Sequence, residues 1–211
     1  MSLIRKSAFV VAAMGLALGV AAYAADQHGH GAAAGHTGAP GAGAGADHAA
    51  AHAKAWSSVD RAIAVLSPTQ GNNVRGTVEF YKVDEGVRIV AHVTGLNPNS
   101  EHGFHVHEFG DISSADGTSA GSHYNPGQMP HGKPTDEHRH AGDLGNLVAN
   151  DQGVANYEYV DEHITIADLK NPIIGRSVVV HAKPDKFTQP VGDAGPRIAV
   201  GVIGVAKSEQ K

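Results

Sequence analysis

The chain of 211 residues contains no cysteine, which excludes disulfides, thiolate nucleophiles and sulfur-ligated metals. Basic residues are in deficit, with 16 Lys and Arg against 21 Asp and Glu and a formal charge of −5. Nonspecific nucleic-acid binding, which relies on basic surface, is therefore not expected. No segment sustains a helical apolar period, so helical architectures are set aside. Residues 8–22 form an apolar run of small residues, too short for a span of roughly 20 residues. Arg5 and Lys6 precede it and Ala22-Tyr23-Ala24 follows it, so residues 1–24 read as a secretory signal peptide. With no cysteine after the run, a lipid anchor is excluded. The mature chain is expected to be periplasmic or secreted, without a membrane partner after cleavage. Such a compartment permits disulfides, so the missing cysteines are themselves a finding.

What the chain has in excess is histidine, 15 in all. Residues 25–57 are Ala, Gly and His with little else, a composition that cannot offset its ordering entropy and predicts disorder. The stretch carries His28, His30, His36, His48 and His52. Two readings stand side by side: an accessory metal-collecting tail, with His28-Gly29-His30 its most convincing pair, or a solvated linker.

From residue 58 to residue 211 the pattern is that of one all-β domain. Strands are predicted at residues 62–66, 74–83, 87–93, 104–108, 144–149, 154–159, 177–181 and 198–205. Asp84-Glu85-Gly86 and Asn150-Asp151-Gln152-Gly153 mark hairpin turns. Eight short strands imply a barrel or sandwich. The two long connections, residues 110–142 and 182–196, are of the length that usually carries function.

The remaining histidines concentrate around those connections. His105 and His107 in Gly103-Phe104-His105-Val106-His107 lie two apart on a strand, which points both rings to one face. His123, His131, His140 and Asp143 follow in one Gly- and Pro-rich loop, and His181 closes the apolar run Ser177-Val178-Val179-Val180-His181. Imidazole suits copper and zinc, and a His/Asp set without sulfur suits zinc. His92, His102, His138 and His163 are assigned no role.

Six ordered stretches resemble the copper–zinc superoxide dismutases. They are Gly103-Phe104-His105-Val106-His107-Glu108-Phe109-Gly110-Asp111, Ser119-Ala120-Gly121-Ser122-His123-Tyr124-Asn125-Pro126, His131-Gly132, Arg139-His140-Ala141-Gly142-Asp143-Leu144-Gly145-Asn146, Gly175-Arg176 leading to His181, and Gly192-Asp193-Ala194-Gly195-Pro196-Arg197. The resemblance implies a flattened eight-stranded Greek-key barrel, akin to an immunoglobulin-like sandwich, with both metals outside the barrel. It implies copper at His105, His107, His123 and His181, and zinc at His123, His131, His140 and Asp143, with His123 bridging as imidazolate. Redox-cycling copper would convert superoxide to dioxygen and hydrogen peroxide, with His123 taking up and delivering a proton. Arg197 is implied as the guide for the anionic substrate, and Asp185 as the carboxylate linking a copper histidine to a zinc histidine. A homodimer is left open, with no face marked for it. The alternative is a non-catalytic copper-buffering protein on the same barrel. A zinc-only structural module would leave the four-histidine set without purpose.

The chain also departs from that family. Its members usually tie the loop before His123 to the last strand by a disulfide, and here Ile112 and Val200 stand at those places. An Ile112–Val200 contact is expected instead. It would return about 1–3 kcal/mol against roughly 2–5 kcal/mol for the bridge, implying a more mobile loop and greater reliance on metal. The loop at residues 182–196 is short and sparsely charged, which predicts weak long-range steering despite Lys183 and Lys186.

Overall fold

The computed structural model describes residue 51 and residues 54–208. The signal-peptide reading and most of the His-rich stretch, including His28, His30 and His36, lie outside these residues. The end of that stretch, residues 54–57, is a helical turn, with the Ser58 N–H donating to the Lys54 carbonyl at 3.2 Å.

Eight strands follow: β1 (Arg61–Pro68), β2 (Arg75–Val83), β3 (Gly86–Thr94), β4 (Glu101–His107), β5 (Asp143–Val148), β6 (Ala155–Asp161), β7 (Ser177–His181) and β8 (Arg197–Val205). Each overlaps a segment expected from sequence. Period-two alternation sends Ala62, Ala64 and Leu66 of β1, Val78 and Phe80 of β2, and Val87, Ile89, Ala91 and Val93 of β3 into one core. The strands are antiparallel, in the order β5-β4-β7-β8-β1-β2-β3-β6. The two ends of this sheet meet at the β5–β6 hairpin, where Ala149 pairs with Ala155. The Tyr157 hydroxyl reaches across to the Leu144 carbonyl at 2.9 Å, and the Tyr157 ring meets Phe104 edge-on at 5.3 Å. The result is a nearly closed eight-stranded barrel.

A third long connection, residues 162–176, carries Ile164, Ile166 and Ile173 into the same core. It pairs Thr165 with Pro172 rather than forming a full strand, so no periodic signal announces it.

Strands β4 and β7 are buried on both faces. Phe104, Val106, Val178 and Val180 enter the core, while His105, His107 and His181 point outward. These rings are nonetheless at most 6% exposed, because the loops before β5 and β8 fold over them. The first loop crosses β4 closely at Gly142, where an added Cβ would lie 2.2 Å from the Val106 carbonyl oxygen. Only glycine allows that approach.

Candidate metal centre

Ladder register brings the site residues together. His105 lies opposite Asp143 of β5, and His181 lies opposite Arg197 of β8. His107 pairs with His123, which draws the long loop onto β4. Three groups result: His105, His107, His123 and His181; His123, His131, His140 and Asp143; and His105, His131 and Asp185. Within each, one donor atom per residue lies within 4.8 Å of the others. Every sequence-predicted ligand position among the described residues is therefore in one cluster, and His123 belongs to two groups.

The hydrogen bonds decide which ring nitrogens are free. His107 Nδ1 donates to the Gly121 carbonyl at 3.0 Å and His181 Nδ1 to the Gly195 carbonyl at 3.0 Å. Their Nε2 lone pairs then face each other at 3.3 Å with no proton between them. His105 donates from Nε2 to Asp185 Oδ2 at 2.8 Å, leaving a buried Nδ1 with no partner. Such contacts are repulsive unless a cation sits among them. Two ligands about 2.05 Å from a tetrahedral ion are about 3.3 Å apart, so the spacing suits a metal.

The second group converges through the other edge of His123. His123 Nδ1 lies 3.0 Å from Asp143 Oδ1 and 3.4 Å from His140 Nδ1. His131 Nδ1 lies 2.9 Å from Asp143 Oδ2, yet without hydrogen-bond alignment, and its Nε2 donates to Asp185 at 2.9 and 3.0 Å. The Asp143 carboxylate is held by the main-chain N–H groups of Gly132 and His140, both at 3.0 Å. Three imidazoles and one carboxylate, without sulfur, form a zinc-type set.

The electrostatics separate the two groups. Burial, reinforced by His123, lowers the His105 pKa to about 3, and burial lowers that of His181 to about 4. Burial likewise holds His107 well below its ordinary value. Burial would lower His131 too, but the neighbouring Asp143 and Asp185 carboxylates outweigh it and raise the pKa to about 9. Burial pushes the Asp143 and Asp185 carboxyls up, and the surrounding histidines more than reverse this, so both are strongly depressed. One group is thus a cage of neutral lone pairs, and the other carries the carboxylate charge.

Arg197 sits at the edge of the first group. Its Nη1 donates to the Gly117 carbonyl and its Nη2 to the Gly121 carbonyl. The guanidinium is near enough to disfavour protonation of His107 and His181. It lines a cleft of about 410 Å³ with Thr69, Asp116 and Thr118. A half-buried cation beside open histidine lone pairs suits a small anion.

Residues 74–203 match the family described as Copper/zinc superoxide dismutase (SODC). This chain belongs to that family. It is 43% identical over 155 residues to the extracellular Cu-Zn superoxide dismutase of Brugia pahangi, covering 69% of this chain and 76% of the relative. It is 41% identical over 156 residues to Cu-Zn superoxide dismutase 3 of Arabidopsis thaliana, covering 70% and 92%. Copper and zinc are the metals of this family, and the donor sets above fit both.

Two findings go beyond the sequence reading and two revise it. His102, assigned no role there, is 2% exposed and donates from Nδ1 to the His181 carbonyl at 2.8 Å. It thereby fixes the main chain at His181. Arg139 forms a buried ion pair with Asp161 at 2.7 Å and donates to the His140 carbonyl at 3.0 Å. Only its adjacence to His140 hinted at this. The expected Ile112–Val200 tie is not one between two buried side chains. Ile112 is 43% exposed, and Val200 is buried with Ala120 and Val179 instead. The short Thr118–Ala120 turn delivers Ala120, whereas Ile112 lies on the outer limb of the loop. Lys186, expected to add positive potential, pairs with Asp193 at 2.7 Å on the surface.

Proposed function

We infer that this protein dismutates superoxide to dioxygen and hydrogen peroxide, as a secreted copper–zinc superoxide dismutase. The observation that carries the reading is His123, one ring shared between a four-histidine group and a three-histidine, one-carboxylate group. We propose His105, His107, His123 and His181 as the copper ligands, and His123, His131, His140 and Asp143 as the zinc ligands. Bound copper supplies the one-electron redox chemistry, and zinc has none of its own.

The protein's own residues supply the rest. Arg197 attracts and orients superoxide through the donors its two carbonyl bonds leave unused. Asp185 holds His105 and His131 by their Nε2–H groups, which fixes the tautomer that turns each Nδ1 inward. His123 is the proton carrier: its nitrogen turned away from Asp143 exchanges a proton with the reduced substrate. Burial keeps bulk water away from these rings.

A copper-buffering protein on the same barrel needs neither a zinc-type set nor an anion guide, so the His123, His131, His140 and Asp143 group and the placement of Arg197 favour the enzyme. Secretion follows the leader pattern of residues 1–24 and agrees with the Brugia relative, which is named extracellular. We propose the periplasm or the extracellular space as the destination. A homodimer is the proposed assembly, with exposed Phe109 and Val202 flanking Gly110 as its apolar face. Sedimentation of the wild type and Val202→Glu tests it.

The deciding experiment is superoxide dismutation by the protein loaded with copper and zinc, beside His181→Ala and Arg197→Ala. Fast turnover lost without His181 and reduced without Arg197 supports the enzyme. Tight copper binding with turnover no better than free copper would overturn it.

A further inference from the structure

The loop before β8 grips His131 at a second place besides Asp185. Gln189 commits both ends of its side-chain amide to the main chain of that one residue. Its Oε1 accepts the His131 N–H at 3.0 Å, and its Nε2 donates to the His131 carbonyl at 2.8 Å. Two bonds exchanged with one residue is the pattern of a hydrogen-bonded pair in an antiparallel ladder, made here by a side chain. Among the described residues, no main-chain group bonds the His131 N–H or carbonyl. The His131 N–H and carbonyl therefore take their hydrogen bonds from Gln189, while the Gly132 N–H that follows is held by Asp143 Oδ2 at 3.0 Å.

Neighbouring contacts show how closely the two loops are fitted. The Phe187 ring faces the His131 imidazole with planes 17° apart and centroids at 6.3 Å. At Gly192 an added Cβ would lie 1.9 Å from Asp185 Oδ1 and 2.7 Å from His131 Nε2. The ring of His131 is thus oriented through Asp185, and its backbone through Gln189.

We propose that Gln189 is a positioning residue that sets how tightly zinc is retained at His123, His131, His140 and Asp143. This rests on the zinc assignment made above. A ligand atom must be held within about 0.5 Å of its productive place, and a peptide free to rock would swing His131 Nδ1 out of line. The absence of a disulfide in this protein leaves such non-covalent ties to hold its loops.

The test uses the full mature protein loaded with copper and zinc, with Gln189→Ala and Gln189→Glu. Glutamate keeps the acceptor for the His131 N–H but sets an oxygen against the carbonyl. Zinc release into excess chelator is expected to be about tenfold faster in both variants, as for other groups that orient metal ligands. Cobalt(II) placed in the zinc site should show shifted visible bands, while the metal-free variants melt together with the metal-free wild type. Equal release rates would overturn the proposal. So would a metal-free melting temperature that falls in step with the loaded one, since that marks a general structural role. A wild type that binds no zinc, or keeps it in His131→Ala, would instead overturn the zinc assignment itself.

Discussion

His105 and His131, one from each metal group, donate to the same oxygen of Asp185, at 2.8 and 3.0 Å. The Asp185 main chain is in turn clamped by Asn146, which donates from Nδ2 to its carbonyl at 3.0 Å and accepts its N–H at 2.7 Å. Removing the carboxylate frees both rings to turn. Asp185→Ala is predicted to weaken zinc retention about 10–100-fold, measured as zinc content after dialysis against chelator. Undiminished zinc content would show that the two rings are held by their other contacts.

Two features of Arg197, its charge and its planar fork, separate by substitution. Arg197→Lys keeps a positive charge but not the planar fork that meets Gly117 and Gly121 together. Arg197→Ala loses both. Dismutation kcat/KM is predicted to fall about tenfold or more in Arg197→Ala and less in Arg197→Lys, with copper content unchanged in each. Equal activity in all three proteins would remove Arg197 from substrate guidance.

The pH dependence of the metal-free protein follows from the neutral histidines. His105 and His181 have folded pKa values of about 3 and about 4, below the ordinary 6.5. Each contributes stability that is present above 6.5 and lost as pH falls toward the folded value, by up to about 1.4 kcal/mol per pH unit. His131, raised to about 9, works the other way: its contribution is full below 6.5 and lost as pH rises through 9. From pH 7 to pH 5 the lowered histidines outnumber it, so urea unfolding of metal-free protein should show a net loss. A metal-free midpoint that rises toward pH 5 would contradict the assigned protonation states.

The Arg139–Asp161 pair is almost fully buried, with side chains 1% and 0% exposed. Breaking a buried pair from one side strands a charge and costs about 3–5 kcal/mol. Asp161→Ala should therefore lower stability by that order, and should also loosen zinc, because Arg139 holds the His140 carbonyl. Thermal unfolding with and without zinc measures both effects.

The loop tie is tested by contrasting two apolar residues. Ile112→Ser, at an exposed position, is predicted to change stability by no more than about 0.5 kcal/mol. Val200→Ala, in the buried cluster with Ala120 and Val179, should cost about 1–3 kcal/mol. The reverse order in denaturant unfolding would restore the Ile112–Val200 contact.

The barrel was legible because period-two alternation and the two hairpin turns mark most strands locally. The connection at residues 162–176 was not, since Ile164, Ile166 and Ile173 are buried without a repeating period. The metal candidates were legible because imidazole and carboxylate recur at spacings that loops and strands can bring together. His102, Gln189 and Asn146 were not, because each acts by a hydrogen bond to a main-chain group far away in sequence.

The sequence by itself determined an all-β chain, the absence of any covalent cross-link, and a donor inventory of histidine and aspartate that suits copper and zinc. Those are local properties: residue type, alternation and turn chemistry. Tertiary structure alone decided which nitrogen of each ring is free, which loop residue packs on Val200, and which side chains hold the ligands. These depend on carbonyls, carboxylates and amides from separate strands meeting at hydrogen-bond distance, a condition that only the closed barrel and its folded-over loops impose.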